Sequence, residues 1–193
     1  MKNLPEKDSV KYVPVEIFCQ FWANLGCIPA SYLEEMMKIK TVKQNINNCA
    51  IKVYIDTMDF DANILLNLKN LQLVHVKTKW TINPPLAQVL TSLYKQGVKI
   101  TFAQKITPYQ LVDCQLFKLT SVIIPTYTYK EIEELIYLLL DTNSYKSCIK
   151  CIMKLKPMLK QRVQNIVSYA ITTEYTKQKP NLKRIEEFKS LIK

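Results

Sequence analysis

From Cys49 onward the chain alternates short runs whose apolar residues recur every second position with longer runs whose apolar residues recur every third and fourth. Those are the periods of a half-buried strand and of an amphipathic helix, so this alternation limits the fold more than any other feature. Ala50–Ile55 sets Ile51, Val53 and Ile55 against Lys52 and Tyr54. Leu71–Val76 reads as a second strand, Val98–Phe102 as a third entered through Gly97, and Phe117–Ile124 as a fourth closed by Pro125. Helices are expected at Asp61–Leu68, Pro84–Tyr94, Pro108–Cys114 and Tyr129–Leu140. In the last of these Thr128 can cap the first turn, and Glu131, Glu133 and Glu134 suit the positive end of the helix. Ile149–Leu155 fits both periods, since alternation selects Ile149, Cys151, Met153 and Leu155 while helical spacing selects Cys148, Ile152, Leu155 and Leu159. A fifth strand is favoured, because Pro157 then opens the following helix instead of interrupting one. Strands separated by helices call for parallel pairing through crossovers, which is an α/β fold.

Residues 1–12 read as a flexible lead. Val13-Pro14-Val15-Glu16 then opens an amphipathic run that places Ile17, Phe18, Phe21, Trp22 and Leu25 on one face and closes at Gly26. After Pro29, Ala30-Ser31 precedes Tyr32, Leu33, Met36, Met37, Ile39 and Val42 at helical spacing. Residues 13–48 are therefore expected to form a module of two or three short helices. Behind them, strand starts at Ile51, Leu71, Val98 and Phe117 lie 20, 27 and 19 residues apart. Leu65-xx-Leu68-xx-Leu71-x-Leu73 also shares its spacing with Leu111-xx-Cys114-xx-Phe117-x-Leu119. This is the LxxLxL pattern of leucine-rich repeats, whose period is ~20–29 residues, although the Asn or Cys expected after it is missing from both copies. Residues 49–156 are accordingly expected to stack as degenerate leucine-rich-repeat-like units with strands in sequence order. An ordinary α/β sheet built of the same elements is the alternative. Pro157–Glu174 and Pro180–Lys193 read as basic C-terminal helices whose apolar faces cap the last repeat.

A helical module in front of degenerate leucine-rich repeats resembles an F-box protein. That family opens on a Leu-Pro-x-Glu-Ile/Leu motif, and Val13-Pro14-Val15-Glu16-Ile17 matches it with Val in place of Leu. Leu25 stands where the family's first helix ends, and Leu33 stands near the start of the second. The later Val-Cys-Lys-x-Trp segment corresponds to Met36-Met37-Lys38-Ile39-Lys40, without the Cys or Trp. The resemblance implies a non-catalytic substrate receptor that docks on the Skp-type adaptor of a cullin ubiquitin ligase and holds an unspecified target protein. Pro14, Ile17, Phe18, Phe21 and Leu25 would carry the adaptor contact. The same residues serve equally as a cap over the end of the repeat array.

Net charge is +11, from 27 basic and 16 acidic side chains, and residues 145–193 hold 12 of the basic and 3 of the acidic. A tail of that charge can follow a nucleic-acid backbone, through Lys160, Arg162, Lys183 and Arg184, or can simply be a solvated helix face. Ten of its twelve cations are Lys rather than Arg, which favours the second use.

Two glycines, Gly26 and Gly97, are too few and too far apart for a Walker loop or a dinucleotide fingerprint. The one histidine, His75, excludes a multi-histidine metal site. It falls in the second strand and is expected in the core or at its rim, paired to a backbone carbonyl. Asp56, Asp59 and Asp61 cluster after the first strand, where helix capping accounts for them. Cys148 and Cys151 form a lone CxxC without the second ligand pair that structural zinc requires. Phe60, Trp80, Tyr127 and Tyr129 follow strands and could anchor a partner. The expected protein has no cofactor and no metal, is not an enzyme, does not enter a membrane, and works in the cytoplasm or nucleus.

Overall fold

Helix α1 (Val15–Leu25) ends at Gly26, whose φ of +61° turns the chain out of the helix and into β1 (Cys27–Pro29). Glycine enters that left-handed region without steric cost. A Cβ at this position would stand 2.7 Å from the Ala50 carbonyl oxygen. Helices α2 (Ala30–Lys38) and α3 (Lys40–Asn48) lead to β2 (Ile51–Ile55). A 3-10 helix (Ala62–Asn67) leads to β3 (Leu71–Val76), and α4 (Pro84–Lys95) leads to β4 (Lys99–Phe102). The computed structural model describes residues 15–77, 82–142 and 145–192, so the lead at 1–12, Pro14 and Trp80 fall outside the described residues.

The protein is α/β. The four strands among the described residues form one parallel sheet in sequence order, β1-β2-β3-β4, and not a doubly wound sheet. Register aligns Ile28, Val53, Val74 and Ile100 in a single row across all four strands, each no more than 2% exposed. Burying an aliphatic side chain to that degree stabilises the fold by about 1.5–3 kcal/mol. Leu33 and Met36 of α2, Leu65 of the 3-10 helix, and Leu90 and Leu93 of α4 join the same core. Crossovers between parallel neighbours are almost always right-handed, and with strands in sequence order that rule sends every connection over the same side. One face of the sheet is therefore covered by these helices. The other face carries exposed Lys52 and Lys99 and half-buried Tyr54, Leu73, His75 and Thr101.

The strand β1 lies inside residues 13–48 and pairs with β2, so the front helices and the strands behind them share one sheet. Three residues are too few for an alternating pattern, which is why the sequence shows only helices there.

The second half departs further from expectation. The fourth expected strand, Phe117–Ile124, is helical. After α5 (Pro108–Asp113) and a turn through Gln115 at φ 55°, the chain forms a 3-10 helix (Phe117–Leu119), α6 (Thr120–Ile123) and a 3-10 helix (Ile124–Thr126). Leu116, Leu119, Thr120, Ile123 and Ile124 are all buried, at intervals of three and four residues. The second LxxLxL copy therefore leads into helix, and only the Leu65 copy precedes a strand.

The fifth expected strand is also helical. In α8 (Tyr145–Leu155) the buried residues are Tyr145, Cys148, Ile149 and Ile152, one stripe of a helix. Pro157 opens a 3-10 helix (Pro157–Leu159) just beyond it. Helix α7 (Tyr129–Leu140) starts as expected from a capping box formed by Thr128 and Glu131. The basic tail forms α9 (Lys160–Tyr175) and α10 (Leu182–Ile192). These two pack on each other and on α7 and α8, so they close a helical half and not the last strand.

Candidate functional site

Helix α1 is held to the core by Cys19 and Ala23, at 0% and 2% exposure. One turn around, Phe21 and Leu25 are 56% and 55% exposed. Their spacing of four residues puts them side by side. Trp22 is half-buried beside them, its ring in edge-to-face contact with Phe21 at 5.8 Å and 75°. Thus two of the five residues that resemble an adaptor contact form an outward apolar patch on an anchored helix. Ile17 and Phe18 fall within α1, and Pro14 lies outside the described residues.

His75 is not in the core. A bulge separates the pairs Ile51–Leu71 and Lys52–Leu73, leaving Gln72 as the extra residue of β3. Such a bulge reverses which face the following side chains occupy. Leu71 is consequently buried, whereas Leu73 and His75 stand on the open face. His75 Nδ1 lies 2.8 Å from Thr101 Oγ1, a side chain and not the backbone carbonyl expected. Its ring meets Tyr54 edge-to-face at 5.5 Å. Tyr54, His75 and Thr101 are register partners on adjacent strands, as are Lys52, Leu73 and Lys99 one step earlier. Partial burial raises the Tyr54 phenol above its ordinary pKa, and the neighbouring Cys27 thiol adds to the rise. On this face the sequence marks His75 as a site candidate and Leu73 as a member of the LxxLxL pattern. Lys52 and Tyr54 were legible as the side chains opposite Ile51, Val53 and Ile55.

The three aspartates have separate duties. Asp56 accepts hydrogen bonds from the Ser31 backbone N–H and hydroxyl, at 3.1 and 2.9 Å, tying α2 to the end of β2. Asp61 caps the 3-10 helix by accepting from the Asn63 N–H at 2.9 Å. The Asp59 N–H donates to Thr57 Oγ1. Among the described residues, no group of three or more His, Cys, Asp or Glu side chains is placed to hold a metal ion. Burial pushes the Cys148 thiol up to about 11, which disfavours the thiolate. Cys151 lies half-buried on the same helix.

The basic tail is partly committed within the fold. Arg162 pairs with Glu133 of α7. Arg184 is half-buried, donates to the Leu140 carbonyl, lies 3.5 Å from Asp141 and stands over the Phe188 ring. Lys177 and Lys189 pair within their own segments with Glu174 and Glu186. Lys160 and Lys183 are exposed. Of the candidate anchors, Phe60 is half-buried, Tyr127 is buried and Tyr129 is 57% exposed. No described helix is long and apolar enough to cross a membrane. Comparison with protein-family models, curated proteins and solved structures finds no match to the chain.

Proposed function

We propose that this is a non-catalytic interaction protein, an F-box-like substrate receptor that links a target protein to a cullin-type ubiquitin ligase through a Skp-type adaptor. The observation that carries this reading is the exposed Phe21–Leu25 patch on a helix whose opposite side is fixed by Cys19 and Ala23. Large apolar side chains presented together on a rigid helix are the material of binding hot spots. The parallel sheet behind the helix, with one open face, supports the second half of the reading, in which the target is held at a distance from the adaptor.

The test is a pull-down of the full chain with a Skp-type adaptor, using Phe21→Asp combined with Leu25→Asp. Both side chains are more than half exposed, so the free protein should fold as before. A carboxylate forced into a desolvated apolar contact should weaken adaptor binding about 100-fold or more, a loss of roughly 3 kcal/mol. Failure of the parent to bind any Skp-type adaptor overturns the reading. Unfolding of the double variant would mark the patch as a structural cap instead.

Nucleic-acid binding by the C-terminal helices is the second reading, and exposed Lys160 and Lys183 favour it. The internal partners of Arg162 and Arg184 weigh against it, because the arginines best suited to phosphate are already engaged. A gel-shift titration against salt separates the two, since each phosphate contact contributes about 0.7–0.9 to the log–log slope.

A further inference from the structure

The open face of the sheet is cationic, and its composition follows from register. Lys52 and Lys99 flank Leu73 in one row across β2, β3 and β4. Neighbouring strands lie about 4.8 Å apart, so the two lysine stems rise roughly 10 Å from each other with an apolar residue between them. The next row is Tyr54, His75 and Thr101. Lys77 continues the alternation of Leu73 and His75 beyond β3, held in place by its N–H to the Ile55 carbonyl at 3.0 Å. Asp56, which follows β2, accepts from Ser31 at both of its carboxylate oxygens. Among the described residues Lys52, Lys77 and Lys99 are exposed and form no ion pair.

We propose that this face binds an extended acidic segment of a partner protein, whose carboxylates pair with Lys52, Lys77 and Lys99 while an apolar side chain rests on Leu73. The inference rests on the substrate-receptor reading, and the segment belongs to the target. Charge complementarity selects this occupant: Lys52 and Lys99 flank one apolar residue, Lys77 follows on the same side of the chain, and none of the three is paired with an acid among the described residues. Nucleic acid is the poorer fit. The face has no arginine to grip phosphate in a bidentate way, and Tyr54 and His75 meet edge-to-face instead of offering flat platforms for bases.

The test uses the full chain and fluorescence anisotropy. The probe is a fluorescein-labelled peptide of alternating Glu and Leu, compared with its Gln-and-Leu counterpart and with an oligo-uridine RNA. The Glu peptide should bind saturably and more weakly as salt rises, and the Gln peptide should bind about ten-fold less tightly or worse. Lys52→Glu with Lys99→Glu should raise the Kd for the Glu peptide about ten-fold or more. Lys52→Arg with Lys99→Arg should retain binding. Circular dichroism and adaptor pull-down of the charge-reversed variant should match the parent. Absence of saturable Glu-peptide binding, equal binding of the Gln peptide, or an unchanged Kd in the charge-reversed variant overturns the proposal. So does tighter binding of the RNA that vanishes in that variant, or self-association of the chain that does so. A parent chain that binds the adaptor but not the Glu peptide refutes this inference alone, whereas no adaptor binding by the parent refutes the receptor reading.

Discussion

Replacing Gly26 by Ala tests how α1 is joined to the sheet. The residue sits at φ +61°, a region that costs an L-residue about 1–2 kcal/mol. Its new Cβ would stand 2.7 Å from the Ala50 carbonyl oxygen, closer than real Cβ contacts come, and the obstacle is backbone. Neither side can yield easily. The Gly26 N–H donates to the Ala23 carbonyl at 3.1 Å, and the Gly26 carbonyl accepts from the Lys52 N–H at 2.8 Å in the first rung between β1 and β2. Strain of this kind adds roughly 1–3 kcal/mol, as overpacking does. Gly26→Ala should therefore destabilise the protein by about 2–5 kcal/mol and lower the Tm by about 2–4 °C for each kcal/mol. Gly97 supplies the control. Its φ is +89°, but a Cβ there meets nothing within 4 Å, so Gly97→Ala should cost only the conformational part, about 1–2 kcal/mol. Urea denaturation of both variants, followed by circular dichroism, measures the difference. Equal losses, or a larger loss at Gly97, would refute the reasoning.

Other perturbations follow from single contacts. Glu131 is held down at about 2 by Lys105 and by the Thr128 backbone and hydroxyl, so its stabilising contribution is complete above its ordinary value of 4.5 and disappears as pH falls toward 2; Glu131→Gln should flatten the urea midpoint against pH in that window. Under limiting iodoacetamide, mass spectrometry should find exposed Cys49 modified first, with buried Cys19 and Cys148 reacting only on unfolding. Arg184→Ala loses its contacts with the Leu140 carbonyl and the Phe188 ring and should cost about 1–3 kcal/mol in urea denaturation. Ile152→Asp should abolish the cooperative transition, because that side chain is fully buried on α8, whereas Lys154→Asp, at an exposed position, should leave the transition in place.

Legibility in the sequence tracked how local each signal was. Strand β2 was readable because Ile51, Val53 and Ile55 alternate with Lys52 and Tyr54, and α7 because Thr128 and Glu131 lie three residues apart and make their capping box alone. Phe117–Ile124 misled because β-branched residues crowd it, although Leu116, Leu119, Ile123 and Ile124 already had helical spacing. Ile149–Leu155 satisfied both periods, and Pro157 tipped the choice wrongly, since a proline fits just after α8 as readily as after a strand. The side occupied by His75 depends on a bulge at Gln72 that no neighbouring residue announces. For the candidate surfaces, exposure of Phe21 and Leu25 depends on which stripe of α1 the core takes, and the assembly of Lys52, Leu73 and Lys99 depends on register between strands. The partners of Arg162 and Arg184 likewise come from helices far away along the chain.

The sequence-ordered sheet has a consequence for how such a protein can change in length. Among the described residues each strand is paired only with the strands immediately before and after it in the chain. A strand–helix unit duplicated between β2 and β3 would add a new rung on each side and leave every existing pairing elsewhere intact. In a doubly wound sheet the same insertion would separate strands that are neighbours in space but distant in sequence. Here the open face would simply widen by one strand spacing, about 4.8 Å. The breadth of that face is thus open to adjustment by duplication or loss of whole units, while the helices at either end keep their own contacts.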